Sequence, residues 1–176
     1  MKKKTSKKPK GFSLIELLIV VAIILIIAAI AVPNLLRSRM AANESSAAGS
    51  ERTIATSNVT YATTYGIGYS ADLLSLGCPT TGCVNTPATS DEADLIDSQL
   101  ASGLKSGYTF TYLPGPGAGT PADPINTFTN DATPTTLNTT GVSAFCVDQS
   151  NVVRKDPTGT DPASDGTGCD TAILPL

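Results

Sequence analysis

The 176-residue sequence contains no histidine and no tryptophan. Without histidine, a Ser-His or Cys-His nucleophile pair is impossible, and a zinc site would have to be built from cysteine alone. Cysteine is scarce too: Cys78, Cys83, Cys146 and Cys169 are the only four. Their spacing, C-x4-C and then C-x22-C, is not the paired C-x2-C of a zinc knuckle, and no C-x-x-C-H haem attachment occurs. No P-loop or G-x-G-x-x-G follows a strand pattern, because Gly115-Pro116-Gly117-Ala118-Gly119 is a proline-rich turn. Neither an enzyme nor a cofactor or metal site is expected. Aromatic residues number nine, too few to make an electron-conducting row the favoured role of Tyr61, Tyr65 and Tyr69; core and helix-end packing is expected of them. Basic residues are also scarce beyond residue 10. Six of the 12 Lys and Arg stand at positions 2 to 10, and the remaining six face 15 acidic residues, a net of −9. An acidic body excludes direct nucleic-acid binding, which needs a basic patch.

Charge is missing altogether from Leu17 to Val32, 16 residues without a polar side chain. Extended from Phe12 to Leu36, the run carries only Ser13, Glu16 and Asn34 as polar residues, and roughly 20 apolar residues span a bilayer core. The lysines ahead of it, Lys2, Lys3, Lys4, Lys7, Lys8 and Lys10, put the N-terminus on the cytoplasmic side. A cleaved secretory signal, with Ala28, Ala29 and Ala31 near a cleavage site, and a plain anchor are two readings of this segment. Neither accounts for Glu16, since a charged residue in a membrane-length segment is expensive and usually functional.

Beyond the run, Leu36, Met40, Ala47, Ile54, Tyr61 and Tyr65 fall within about a 60° arc at 100° per residue. One helix is therefore expected from Phe12 to Tyr65, roughly 80 Å long at 1.5 Å per residue, with Gly66 and Gly68 ending it. Its first half is apolar all round. Its second half has one apolar stripe, with Arg37, Glu44, Ser45, Glu51 and Arg52 largely off it. The organisation expected is a basic leader (1–11), an apolar helix half (12–36), an amphipathic half (37–68) and a disulfide-bearing globular region (69–176).

In that last region, Asp91 to Leu104 is expected to carry a short helix, with Leu95, Ile96, Leu100 and Leu104 on its stripe and acidic residues at its N-terminus. Strands are expected at Gly107–Leu113, Ile125–Asn130, Val142–Asp148 and Val152–Lys155, the last two joined by a turn at Gln149-Ser150-Asn151. The fold class is α+β: a long helix against three or four antiparallel strands. An even cysteine count beyond an export segment suggests disulfides, and four cysteines allow three pairings. The tail from Asp156 to Asp170 holds four carboxylates and reads as a solvated loop, not an EF-hand. Asn58-Val59-Thr60 and Asn138-Thr139-Thr140 match glycosylation acceptors weakly.

The stretch Lys10-Gly11-Phe12-Ser13-Leu14-Ile15-Glu16, with its basic leader and the apolar run behind it, resembles the processing site of type IV prepilins and the related pseudopilins. The resemblance is close from Gly11 to Pro33 and architectural over the rest. It implies that a membrane prepilin peptidase cuts between Gly11 and Phe12 and methylates the new amine of Phe12, leaving Glu16 as the fifth mature residue. It implies a single-pass precursor in the inner membrane, partner assembly machinery, and a homo-oligomeric helical filament on the cell surface. In the filament the amine of an incoming subunit would pair with Glu16. Adhesion and twitching motility are filament-level roles among which the sequence does not choose. A type II secretion pseudopilin and a non-polymerising single-span envelope protein are the alternatives. The resemblance also implies a disulfide bounding a C-terminal loop, a role Cys146 and Cys169 fit; proximity favours Cys78–Cys83 as the other pair. Some pseudopilins hold calcium, which would be the role of the Asp-rich tail. The sequence departs from the family at Leu25, where a glycine is common. Pro33 alone still removes one backbone hydrogen bond and is expected to kink the helix.

Overall fold

The computed structural model describes residues 11–78, 87–160, 166, 168–170 and 174–176. Residues 1–10, Cys83, and residues 161–165 and 167 of the Asp-rich tail lie outside the described residues. The chain divides into two compact units, Met1–Ser38 and Arg39–Leu176.

Helix α1 spans Leu14–Tyr65, 52 residues with Pro33 inside. Within the first unit its large apolar side chains are exposed, for example Leu14, Ile24 and Ile30, and Ala28 is half-buried. An 18-residue window here has mean hydropathy 3.3, and none of it is buried in the protein itself. By length and composition this part of the helix is apolar enough to cross a membrane. The helix ends where expected: Gly66 follows at φ +67, and its N–H bonds to the Ala62 carbonyl at 3.0 Å.

The second unit contains the rest of α1, two single-turn helices, α2 (Leu73–Leu76) and α3 (Ser98–Ala101), and six strands: β1 (Leu104–Lys105), β2 (Tyr108–Pro114), β3 (Phe128–Pro134), β4 (Ala144–Asp148), β5 (Arg154–Asp156) and β6 (Leu174–Pro175). They form one antiparallel meander in chain order, β1-β2-β3-β4-β5-β6. The fold is α+β as expected. The three or four expected strands become six because two-residue strands, too short to signal themselves by alternation, extend the sheet at each edge.

The core joins helix to sheet. Ala47, Ile54 and Tyr61 of α1 are buried with Tyr108, Phe110, Phe128, Phe145 and Val147. Tyr112 stacks on Phe128, ring centroids 5.7 Å apart, and Tyr69 meets Phe128 edge-on at 4.9 Å. The stripe packs from Met40 onward; Leu36 is half exposed. Tyr61, Tyr65 and Tyr69 belong to this packing, Tyr61 also donating to the Ser90 carbonyl at 2.8 Å.

Three elements differ from expectation. The helix expected over Asp91–Leu104 is the single turn α3, N-capped by Asp97, whose Oδ1 accepts from Leu100 N at 3.0 Å. Asp94 ahead of it takes φ +53, which a helix cannot accommodate. The strand expected from Ile125 begins at Phe128. Ile125 instead pairs with Gly68, its N–H bonding to the Ile67 carbonyl and its carbonyl accepting Tyr69 N at 2.7 Å. Gly68 has φ +86 and Ile125 backbone in the space a Cβ would need, so only glycine allows this approach. The strand expected from Val152 begins at Arg154, because Asn151 at φ +59 ends a turn that includes Ser150 and Asn151. There Asp148 receives the N–H groups of Ser150 and Asn151.

Glu51, expected off the apolar stripe, is fully buried, and its Oε1 accepts from Asn130 Nδ2 at 2.8 Å. Glu44, likewise expected off the stripe, tethers α1 to the start of β4. Its Oε1 accepts the Val142 and Ser143 N–H groups at 2.9 and 3.1 Å, and its Oε2 meets Lys155 Nζ at 3.4 Å.

Candidate processing and assembly segment

The segment begins with two residues outside the helix. Gly11 and Phe12 are exposed, Phe12 at 85%, and nothing lies within 4 Å of where a Gly11 Cβ would stand. Neither residue belongs to a helix or strand. Helix α1 opens at Leu14, with Ser13 in the N-cap position. The Ser13 N–H donates to Glu16 Oε2 at 2.8 Å, and the Ser13 carbonyl accepts Leu17 N at 3.2 Å. Ser13-x-x-Glu16 is therefore a capping box, in which the carboxylate three residues into the helix reaches back to the N-cap amide. A carboxylate in the first turn also complements the helix dipole. Sequence reasoning gave Glu16 only the processed Phe12 amine as a partner. The capping signature, Ser followed three residues later by Glu ahead of an apolar stretch, was present and would have identified its first partner.

Gly11, Phe12 and Glu16 thus lie together at one end of α1, while Pro33 sits inside the same helix. The cysteines are at the other end of the chain. Cys146 and Cys169 are joined, 23 residues apart in sequence with Cα atoms 6.0 Å apart. Both are buried, and Asp148 Oδ2 accepts the Cys169 N–H at 3.0 Å. Cys78 is also disulfide-bonded; the expected partner, Cys83, lies outside the described residues.

In the tail, the Asp156 carboxylate accepts from Thr158 N and Oγ1 at 2.8 and 2.7 Å and from Thr160 Oγ1 at 3.1 Å. Slight burial works to raise its pKa, but the bonds from Thr158 and Thr160 outweigh that and hold it below the usual carboxylate range. Asp161 and Asp165 lie outside the described residues. Among the described residues no group of three potential metal-ligating side chains comes together. Of the two glycosylation sequons, Asn58 is fully buried, whereas Asn138 is exposed in a turn at φ +60.

Against known proteins, residues 6–32 match the family described as "Prokaryotic N-terminal methylation motif". The chain is similar to the type IV wide pilus major component PilA4 of Thermus thermophilus, at 60% identity over 38 residues, 22% of this chain. The match spans 29% of that relative's length. No solved structure matches the chain. The family likeness is thus confined to the N-terminal segment, which carries the N-terminal methylation motif.

Proposed function

We propose that the protein is a pilin, the repeating structural subunit of a type IV filament. The carrying observation is the juxtaposition at the start of α1: an exposed Gly11-Phe12 bond stands ahead of Glu16 and of an apolar helix half with no burial of its own. A prepilin peptidase cleaves between Gly11 and Phe12 and methylates the Phe12 amine. The precursor waits in the inner membrane as a single-pass protein, with residues 12–36 in the bilayer and the globular region outside the cytoplasm. Assembly machinery then moves it into a homo-oligomeric surface filament, where neighbouring helices replace lipid around residues 12–36.

Glu16 is the assembly contact. In the unassembled chain its carboxylate is held by Ser13 N–H. In the filament the amine of a neighbouring Phe12 pairs with it, and an unpaired buried charge penalises every wrong register. Pro33 supplies a flexible point in the helix, and Cys78–Cys83 closes a small ring ahead of the sheet. The construction is that of a structural protein acting without cofactor, metal or nucleic-acid ligand.

The experiment is the mass and N-terminal sequence of the mature protein, together with imaging of sheared surface filaments. A methylated Phe12 N-terminus and filaments containing this chain are expected. An N-terminus at Met1 or near Ala31 would overturn the reading. Methylated Phe12 without surface filaments would move it to a secretion pseudopilin.

A further inference from the structure

The proposed assembly chemistry makes no use of Glu51, yet this carboxyl is fully buried in the second unit. It lies on the sheet-facing side of α1 with no solvent exposure. Neither the Lys105–Asp97 nor the Lys155–Glu44 ion pair reaches it. The charged side chains nearest it on α1 and on the strands beyond are Glu44 and Arg52 on α1, Asp131 on β3, Asp148 on β4, and Arg154, Lys155 and Asp156 on β5. Of these, Glu44 is occupied by Lys155 and the β4 amides, Arg52 is exposed, and buried Asp131 adds a like charge. A bare carboxylate has no compensation here, and an isolated buried carboxylate neutralises instead of staying charged.

The hydrogen bonds point the same way. Asn130 Nδ2 donates to Glu51 Oε1 at 2.8 Å. On these same two side chains, Glu51 Oε2 and Asn130 Oδ1 are both buried and have no hydrogen-bond partner. Two acceptors left over on an already bonded pair are what remains when one hydrogen is missing between them. A carboxylic acid and a carboxamide pair through two parallel bonds, N–H to the acid carbonyl and acid O–H to the amide carbonyl. A proton on Oε2 completes that pair and satisfies both atoms.

We propose that Glu51 and Asn130 form a neutral acid–amide pair and that this pair is a proton-operated latch fastening helix α1 to strand β3. With the proton on, the seam is closed and uncharged. When the Oε2–H bond breaks and the proton leaves to solvent, one hydrogen bond is lost. The new carboxylate then faces the Asn130 carbonyl dipole and the Asp131 side chain, and it gains by swinging toward water. The latch sits wholly inside the second unit and does not depend on the chain being a pilin.

Burial, first, and the Asp131 field push the Glu51 pKa up, with the Asn130 bond opposing them only in part. Proton release therefore falls above the ordinary carboxylate range, and opening of the seam rises with pH by up to about tenfold per unit across that window. The test uses the full-length protein in detergent micelles. Hydrogen exchange of the amides in 47–58 and in β3 is followed between about pH 5 and 9 and corrected for intrinsic rates, in the wild type and in Glu51→Gln. Glutamine preserves two parallel bonds to Asn130 but cannot ionise. Protection in the wild type should fall with rising pH while that of Glu51→Gln stays flat. Equal pH dependence in the two proteins would overturn the proposal. If Glu51→Gln does not fold, the carbon-13 signal of the wild-type Glu51 carboxyl decides. Titration above the ordinary range supports the latch, and titration at the ordinary carboxylate value removes it.

Discussion

Asn58 on α1 receives the Tyr112 hydroxyl of β2 at 3.0 Å, and the same Oδ1 accepts both the backbone N–H and the hydroxyl of Ser70 at 3.1 Å. One side-chain oxygen thus joins the helix, the turn that follows it and the sheet. Asn58 and Glu51 are seven residues apart, two helical turns, and their partners Tyr112 and Asn130 are directly paired across β2 and β3. The seam between helix and sheet carries two buried polar contacts side by side.

Asn58→Ala should therefore cost about 2–3 kcal/mol, since it leaves the Ser70 amide buried without its acceptor. Urea unfolding of the wild type and the variant checks this. The burial of Asn58 also means that no glycan mass should be found on it in the folded protein. A peptide from the mature protein glycosylated at Asn58 would contradict the packing.

Burial raises the pKa of Tyr61, Tyr108 and Tyr112; Asp91 adds to it at Tyr61 and Glu44 at Tyr108, while the Ser70 and Asn58 bonds offset only part of it at Tyr112. Folded pKa values above the unfolded one mean that stability is fully present below about pH 10 and is lost as pH rises beyond it. Absorbance near 295 nm should show three of the five tyrosines ionising only as the protein unfolds. Smooth titration of all five near pH 10, with the fold intact by circular dichroism, would refute the burial pattern.

Breaking the Cys146–Cys169 bridge should destabilise the second unit by about 3 kcal/mol, the order expected for a closed loop of this size. Comparing melting of the Cys146→Ser/Cys169→Ser double variant with the wild type measures it. A loss near zero would mean that the buried Asp148–Cys169 contact holds the loop unaided.

Glu16→Ala should leave cleavage at Gly11-Phe12 largely intact and sharply reduce filament yield. The measurements are N-terminal mass and sheared-fibre yield from cells. Ser13→Ala keeps the backbone N–H that Glu16 uses and should assemble far better than Glu16→Ala. Normal fibre yield from Glu16→Ala would sink the docking role.

The helix and its end were legible because periodicity over many residues is a strong signal and glycine is an unambiguous stop. The Tyr108 strand was legible from alternation of aromatic and threonine. What escaped is instructive. Glu51 lies only about 20° beyond the edge of the apolar stripe, and Asn58 lies inside it. Reading the stripe from apolar residues alone hid both of its polar anchors. The displaced start of β3 was invisible because Ile125 is claimed by Gly68, a tertiary contact that local propensity cannot register. In the N-terminal segment, Gly11, Phe12 and Glu16 stood out through their resemblance to a prepilin processing site, whereas the Ser13–Glu16 contact required the capping pattern to be applied to an apolar helix.

The meander order of the sheet bears on how the second unit folds. Every strand pairs with its neighbour in the chain, so β-hairpins can form one after another through closures of 2 to 17 residues, and local contacts of this kind favour fast folding. Docking of α1 is the long-range step: Glu51 and Asn130 are 79 residues apart, and Glu44 and Val142 are 98 apart. The sheet can therefore condense while the helix is still undocked, and the transition state should be polarised toward the hairpins. Substitutions in β2 and β3 should slow folding, whereas those at Glu44, Glu51 and Asn58 should chiefly speed unfolding.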